Sequence, residues 1–204
     1  MKRLIIYTLL AGVAAAAGAE SVQPTFVSNP ANLKGARTYT NPVIYADYSD
    51  PDAVASADGR TWYMTASSFQ CTPGLPILKS TDLVNWTIVN YALDAVPPTD
   101  YYDAAPRHGK GVWAPCIREH GGEYYIYWGD PDFGIFMIKT GNPEGRWSEP
   151  VLVKAGKGLI DPTPLWDSDG KAYLANGWAG SRAGFNSVIT VSDMTPDGTS
   201  VTSK

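Results

Sequence analysis

Two carboxylates open the chemistry of this chain. Asp50 and Asp161 each precede a proline, in Asp50-Pro51-Asp52 and in Asp161-Pro162-Thr163. A third x-Pro pair, Ala114-Pro115, stands between them and carries no carboxylate. Two acidic groups brought together can supply the base and the acid that glycoside hydrolysis needs, and they can also hold a metal. An isolated Asp-Pro is more often a turn in which Asp caps the next amide. Aromatic and polar residues follow the same phase. Trp113 precedes Ala114-Pro115, Phe69 follows the second strand of the first unit, and Trp178 and Arg182 follow the second strand of the third. An aromatic ring can stack on the apolar face of a sugar, although core packing is the commoner use of each one.

These residues fall into a repeat. Three segments read x-Pro, a short apolar strand, a tight turn and an aromatic return strand. The turns are Asp58-Gly59, Gly121-Gly122 and Asp169-Gly170, and the steps from x-Pro to turn are 8, 7 and 8 residues. D-G and G-G are hairpin turns because both central positions take positive φ at little cost. Turn-to-turn spacings of 63 and 48 residues suit blades of a β-propeller. The strands expected are 53–56, 61–67, 77–80, 111–118, 123–129, 135–140, 165–166, 171–176 and 187–191, with little helix. Further strands complete each blade: 75–79 and 82–86, then 134–138 and 146–147, then 187–191 and 193–198. The first strand of each blade lines the channel, so Asp50, Ala114 and Asp161 are expected to ring the axis at similar height.

Composition agrees. The chain has 204 residues, long enough for one domain with a real core. Gly and Pro make 36 of them, and with seven Trp and twelve Tyr they point to an all-β protein rich in turns. The net charge of −4 argues against a nucleic-acid partner. Lys2 and Arg3, the apolar run 4–18 and the small-residue site Ala17-Gly18-Ala19 read as a secretory leader cut after Ala19. The run is short for a membrane span. The expectation is an exported protein, secreted or periplasmic, with no membrane contact after cleavage. Residues 20–40 read as a linker or N-terminal arm, and 41–204 as a partial β-propeller catalytic domain. Three blades are fewer than a closed ring needs, and the chain stops in a polar stretch, so the expectation is the front part of a longer propeller. Cys71 and Cys116 are either paired or buried as thiols; spacing does not choose.

The motifs, in order, resemble glycoside hydrolase family 43. Asn41-Pro42-Val43 with Tyr48-Ser49-Asp50-Pro51-Asp52, Ser67-Ser68-Phe69 with Pro73-Gly74, Ser80-Thr81-Asp82-Leu83-Val84-Asn85-Trp86, Gly111-Val112-Trp113-Ala114-Pro115, and Leu159-Ile160-Asp161-Pro162 carry the likeness over about residues 41–200. The resemblance implies a five-bladed β-propeller of which this chain supplies about three blades. It implies an inverting enzyme that releases terminal xylose or arabinofuranose from oligo- or polysaccharide. On it, Asp50 is the general base, and Asp161 orients the general acid and keeps its pKa raised. The acid itself is a Glu in an E-G-P segment. Glu20, Glu119, Glu123, Glu144 and Glu149 lie in no such context, so the acid is expected outside this chain and the chain alone is expected to be inactive. Phe69 and Trp113 would wall the sugar site, with Trp178 beside them and His108 and Arg182 on hydroxyls. No organic cofactor is expected. Calcium is a secondary option at Asp47, Asp50 and Asp52, weakened because Asp47 is out of phase in an extended segment. A fructan-cleaving propeller and a non-catalytic sugar-binding propeller are the alternatives; the first is disfavoured by the absence of Asn around Asp50.

Overall fold

A computed structural model of the chain describes residues 24–32 and 38–202. The leader read at 1–19 and part of the arm lie outside them. Three antiparallel sheets follow one another. The first contains β1 (Thr25–Phe26), β2 (Asp52–Ala55), β3 (Trp62–Thr65), β4 (Gly74–Ser80) and β5 (Thr87–Leu93). After a short helix α1 (Thr99–Asp103) comes the second, β6 (Trp113–His120), β7 (Glu123–Asp130), β8 (Gly134–Thr140) and β9 (Val151–Ala155). The third is β10 (Leu159–Trp166), β11 (Ala172–Trp178) and β12 (Thr190–Met194), with helix α2 (Gly180–Ala183) between the last two. The first strands pack side by side, β6 between β2 and β10. That arrangement is three blades set around an axis.

The glycines of the three hairpin turns have the positive φ their turns require: 65° at Gly59, 62° and 84° at Gly121 and Gly122, and 84° at Gly170. Blade 2 is buried on both faces, which is why its strands read as unbroken apolar runs. Tyr124, Ile126 and Trp128 of β7, with Phe136 and Ile138 of β8, face blade 1 and join Tyr63, Leu75 and Ile77. The alternate residues Tyr125, Tyr127, Ile135 and Met137 face blade 3 and join Leu159, Leu174 and Met194. Period-2 alternation thus feeds two cores from one sheet. The far face of blade 3 keeps Leu165, Ile189 and Val191 exposed.

The edge strands differ from expectation. Residues 82–86 and 146–147 are turns, and the fourth strands begin after them, at Thr87 and Val151. Local side chains take the backbone donors first. Ser80 Oγ accepts the Asp82 and Leu83 N–H groups, and Asp82 Oδ1 accepts those of Val84 and Asn85. Each turn then closes on a buried indole, Trp86 donating to the Leu83 carbonyl at 3.1 Å and Trp147 to the Pro143 carbonyl at 3.2 Å. In blade 3 the third strand runs Thr190–Met194, and among the described residues no separate fourth strand follows over 195–198, only a Met194–Val201 bridge. Strand β10 is longer than its expected 165–166 because it runs back through Asp161.

The N-terminal arm lays β1 against β5, as a fifth strand on the outer edge of blade 1. Ser28, 5% exposed, accepts the Trp86 N–H and donates to the Trp86 carbonyl at 3.3 Å. Asn29 and Asn32, also buried, hold the Thr40 and Pro42 carbonyls. Ser28→Ala leaves the Trp86 N–H buried without a partner and should cost about 1–3 kcal/mol. Urea unfolding reads this directly, and an unchanged midpoint would refute a role for the arm in holding the edge.

Candidate active site

Each inner strand is broken at its x-Pro. Proline has no N–H to give the ladder, so it sits at a bulge. The register shifts between Trp113 and Cys116 in blade 2 and between Ile160 and Thr163 in blade 3, while in blade 1 pairing starts only at Asp52. The residue before each proline is left-handed, with φ of 50° at Asp50, 35° at Ala114 and 52° at Asp161. Such a conformation costs a residue with a Cβ about 1–2 kcal/mol. Three copies of the same strained step, one per blade, mark a feature of the fold's working end.

The steps converge. A funnel of about 240 Å³ is lined by Asp50-Pro51-Asp52, by Ala114-Pro115-Cys116 with Arg118, and by Asp161-Pro162-Thr163. The Asp50 carboxylate is fixed through one oxygen. Oδ2 accepts the Ser49 hydroxyl at 2.9 Å and the Ser67 hydroxyl at 2.8 Å. Ser67 Oγ in turn accepts the Ala114 N–H at 2.8 Å, so it ties the ring position of blade 1 to that of blade 2. Among the described residues nothing bonds Oδ1, which leaves that oxygen for a water. Deeper in the funnel Asp52 accepts the Ile117 N–H at 2.8 Å and pairs with Arg118 at 2.5 Å. Cys116 lies beside them with its thiol pushed up to about 12, first by burial, so it stays protonated near neutrality.

Asp161 differs from Asp50 in environment. Solvent reaches its side chain, yet the surrounding protein desolvates the carboxyl, and the Asp50 charge adds repulsion. Both raise its pKa above the ordinary value. A raised folded pKa means that the native state holds this proton more tightly than the unfolded chain does. The resulting stability is present at low pH and is lost as pH rises through the folded pKa. Carbon-detected NMR titration of the chain should find Asp161 above the ordinary carboxylate value, and Asp50→Asn should bring it down. A midpoint at or below the ordinary value in the unmodified chain would remove the coupling.

None of the aromatic candidates lines the funnel. Phe69 is left-handed, with φ 52°, and exchanges two backbone hydrogen bonds with Val112, at 3.0 and 2.9 Å. Gly111 permits this approach: a Cβ there would come within 2.5 Å of the Phe69 carbonyl oxygen. Trp113 is anchored by its indole N–H to the Gly109 carbonyl at 2.9 Å. The Arg182 guanidinium stands 5.7 Å from the Trp113 ring centre. Asp132 pairs with Arg182 at 3.0 Å and with Lys110 at 2.9 Å. Burial opposes the Asp132 charge, but the two cations outweigh it and hold its pKa low. Trp178 packs against the blade 2–blade 3 core, bonds Thr190 Oγ1 at 2.9 Å and tilts against Phe185. His108 lies apart, in a second cavity.

Of the glutamates, Glu119, Glu123, Glu144 and Glu149 do not line the funnel. Glu144 binds Lys79 and Tyr63, and Glu123 binds Lys139; Glu20 is outside the described residues. No group of three or more His, Cys, Asp or Glu among the described residues could hold a metal ion. Cys71 and Cys116 are not bonded, and Cys71 is exposed, contrary to the expectation of a pair or of two buried thiols. Ser67, which bonds Asp50, and Arg118, which lines the funnel, belong to the site without any sequence signal of their role. Ser67 sits in a quoted motif, but its bond to Asp50 spans 17 residues and that to Ala114 spans 47. No local pattern marks such a pair.

A propeller whose inner strands bring Asp50 and Asp161 into one axial funnel, beside an Asp52 already paired with Arg118, has the framework of a carbohydrate-cleaving propeller. The chain belongs to glycosyl hydrolases family 43, whose sequence model matches residues 39–204. A beta-xylosidase of Formosa agariphila is 33% identical over 177 residues, covering 82% of this chain and 30% of its own length. The non-reducing end alpha-L-arabinofuranosidase BoGH43B of Bacteroides ovatus is 34% identical over 142 residues, covering 68% and 26%. The crystal structure of the family-43 protein BlXynB from Bacillus licheniformis superposes with a TM-score of 0.64 at 28% identity, covering 81% of this chain and 32% of that one. The chain thus spans about a third or less of the length of the relatives it matches. The fold is the family's five-bladed β-propeller, of which this chain forms three blades.

Proposed function

We propose that a complete propeller containing this chain is an inverting glycoside hydrolase. It releases a terminal xylose or arabinofuranose from pentose-containing oligo- or polysaccharide. One observation carries the reading: of the three carboxylates in the funnel, Asp52 is paired with Arg118, which leaves Asp50 and Asp161 facing the sugar in different environments. Asp50 is held by two hydroxyls through one oxygen, and Asp161 is desolvated and repelled by Asp50. The named relatives, a beta-xylosidase and an alpha-L-arabinofuranosidase, support the substrate class.

In this mechanism ionised Asp50 takes a proton from a water on one face of the sugar, and the water attacks the anomeric carbon. A glutamic acid from a blade beyond this chain protonates the departing oxygen, so charge balances as the bond breaks. The two carboxyl groups stand roughly 6.5–9.5 Å apart to admit the water. Asp161 lies near the acid, orients it, and raises its pKa by like-charge repulsion. Phe69 and Trp113 wall the sugar and Arg182, beside the Trp113 ring, is a hydroxyl partner, while His108 in the second cavity and Trp178 in the blade 2–blade 3 core stand away from the funnel and take no part in holding this sugar. The basic-apolar leader supports export to the periplasm or the medium.

Proton NMR of the first sugar released tests the stereochemistry. A β-xyloside cleaved by the complete propeller should give α-xylose before mutarotation. Release of β-xylose would mean a retaining route and would remove the base role from Asp50.

A further inference from the structure

The loops that carry Phe69 and Trp113 border a second, open cavity. Its volume is about 460 Å³, within the range of roughly 300–1,000 Å³ usual for ligand sites, and it shares no residue with the funnel. Two segments build it. Gln70 and Thr72 come from the β3–β4 loop; Val96 and residues 102–106 with His108 come from the connection between β5 and β6. The first segment follows Ser67, which bonds Asp50, and the second leads into Trp113 and Ala114. The cavity therefore opens on the same end of the propeller as the funnel.

Its wall is half apolar and half hydrogen-bonding. Val96 and the Tyr102 ring supply the apolar part. The Tyr102 hydroxyl is committed to buried Asp130 at 2.5 Å, which fixes that ring. The Gln70 side-chain amide stands in the wall and its Oε1 accepts the Arg107 backbone N–H. Thr72, Asp103 and His108 add a hydroxyl, a carboxylate and an imidazole. The Arg107 guanidinium, which is not in the wall, stacks on the Tyr101 ring at 4.2 Å. An apolar ring face beside donors and acceptors of both kinds suits a sugar ring with several hydroxyls. The Asp103 carboxylate, with no cation in the wall, disfavours an acidic sugar.

We propose that this cavity is a second sugar subsite, which holds a neutral pentosyl unit remote from the bond being cleaved. The proposal rests on the glycosidase reading above. Binding there would anchor an oligosaccharide while the funnel takes its end.

Titration of a ¹⁵N-labelled complete propeller containing this chain and carrying Asp50→Asn, so that the ligand is not turned over, with xylotriose tests it. Saturable shifts are expected at the Gln70 side-chain amide and at the backbone amides of Thr72, Asp103, Ala104, Ala105 and His108. Ala104 is exposed on the wall, so Ala104→Trp should keep the fold and fill the site. It should weaken xylotriose binding about tenfold, a loss of about 1.4 kcal/mol. Absence of shifts at these amides, or equal affinity in Ala104→Trp, would overturn the subsite. Shifts confined to Asp52, Cys116 and Thr163 would overturn it too, while leaving the hydrolase reading intact. That reading fails on a separate measurement, the absence of any pentoside cleavage by the complete propeller.

Discussion

Asp50→Asn in a complete propeller containing this chain should lower kcat on xylosides and arabinofuranosides by about 10²–10⁴-fold or more. The substitution is nearly isosteric. The Asn carbonyl can still accept the Ser49 and Ser67 hydroxyls that hold Oδ2 now, so the link to the Ala114 amide survives. What disappears is the acceptor for the proton of the attacking water. The loss should therefore be as large on aryl pentosides, whose leaving groups need no acid, as on natural linkages. This pattern separates a missing base from a missing acid, since an acid variant spares the aryl substrates. Turnover within tenfold of the unmodified enzyme on either substrate would end the assignment. The same variant removes the charge that helps raise the Asp161 pKa, so a fall in that pKa should accompany the lost activity.

Trp128→Ala should be the most destabilising single change in the described core, at about 3–5 kcal/mol. Trp128 is 0% exposed at the centre of blade 2, stacked on Phe136 with ring centres 5.6 Å apart and planes 16° apart. It joins the core shared with blade 1, so a cavity there loosens two blades at once. Trp128→Phe should cost far less. It keeps an aromatic ring against Phe136 and removes an indole N–H that has no partner among the described residues. Urea unfolding of the two variants makes the comparison. An Ala variant within about 1 kcal/mol of the unmodified chain would show that blade 2 does not depend on this packing.

Much of the fold is legible in the sequence because propeller blades repeat local chemistry. Hairpin turns need residues that accept positive φ, and Asp58-Gly59, Gly121-Gly122 and Asp169-Gly170 supply them wherever they occur. The shared phase of Asp50, Ala114 and Asp161 within the repeat likewise places them on one ring, and all three line the funnel. Strand boundaries are less legible. Residues 82–86 look like an edge strand by residue type, but Asp82 and Ser80 divert the backbone donors into a turn, and the strand waits until Thr87. The apolar runs of β7 and β8 announce burial without saying that their two faces serve different cores.

By itself, then, the sequence determined the blade count, the turns and the placing of Asp50 and Asp161 on one ring, because each depends on residues a few positions apart. Only the tertiary structure decided how those carboxylates differ and what surrounds them. The Ser67 bridge joins residues 17 and 47 positions away, Arg118 meets Asp52 across 66, and Arg182 reaches Asp132 across 50. His108, though close in sequence to Trp113, is carried into a separate cavity. Desolvation and charge coupling at Asp161 arise from which groups the packed blades bring near it, and those proximities exist only once distant segments have closed around the axis.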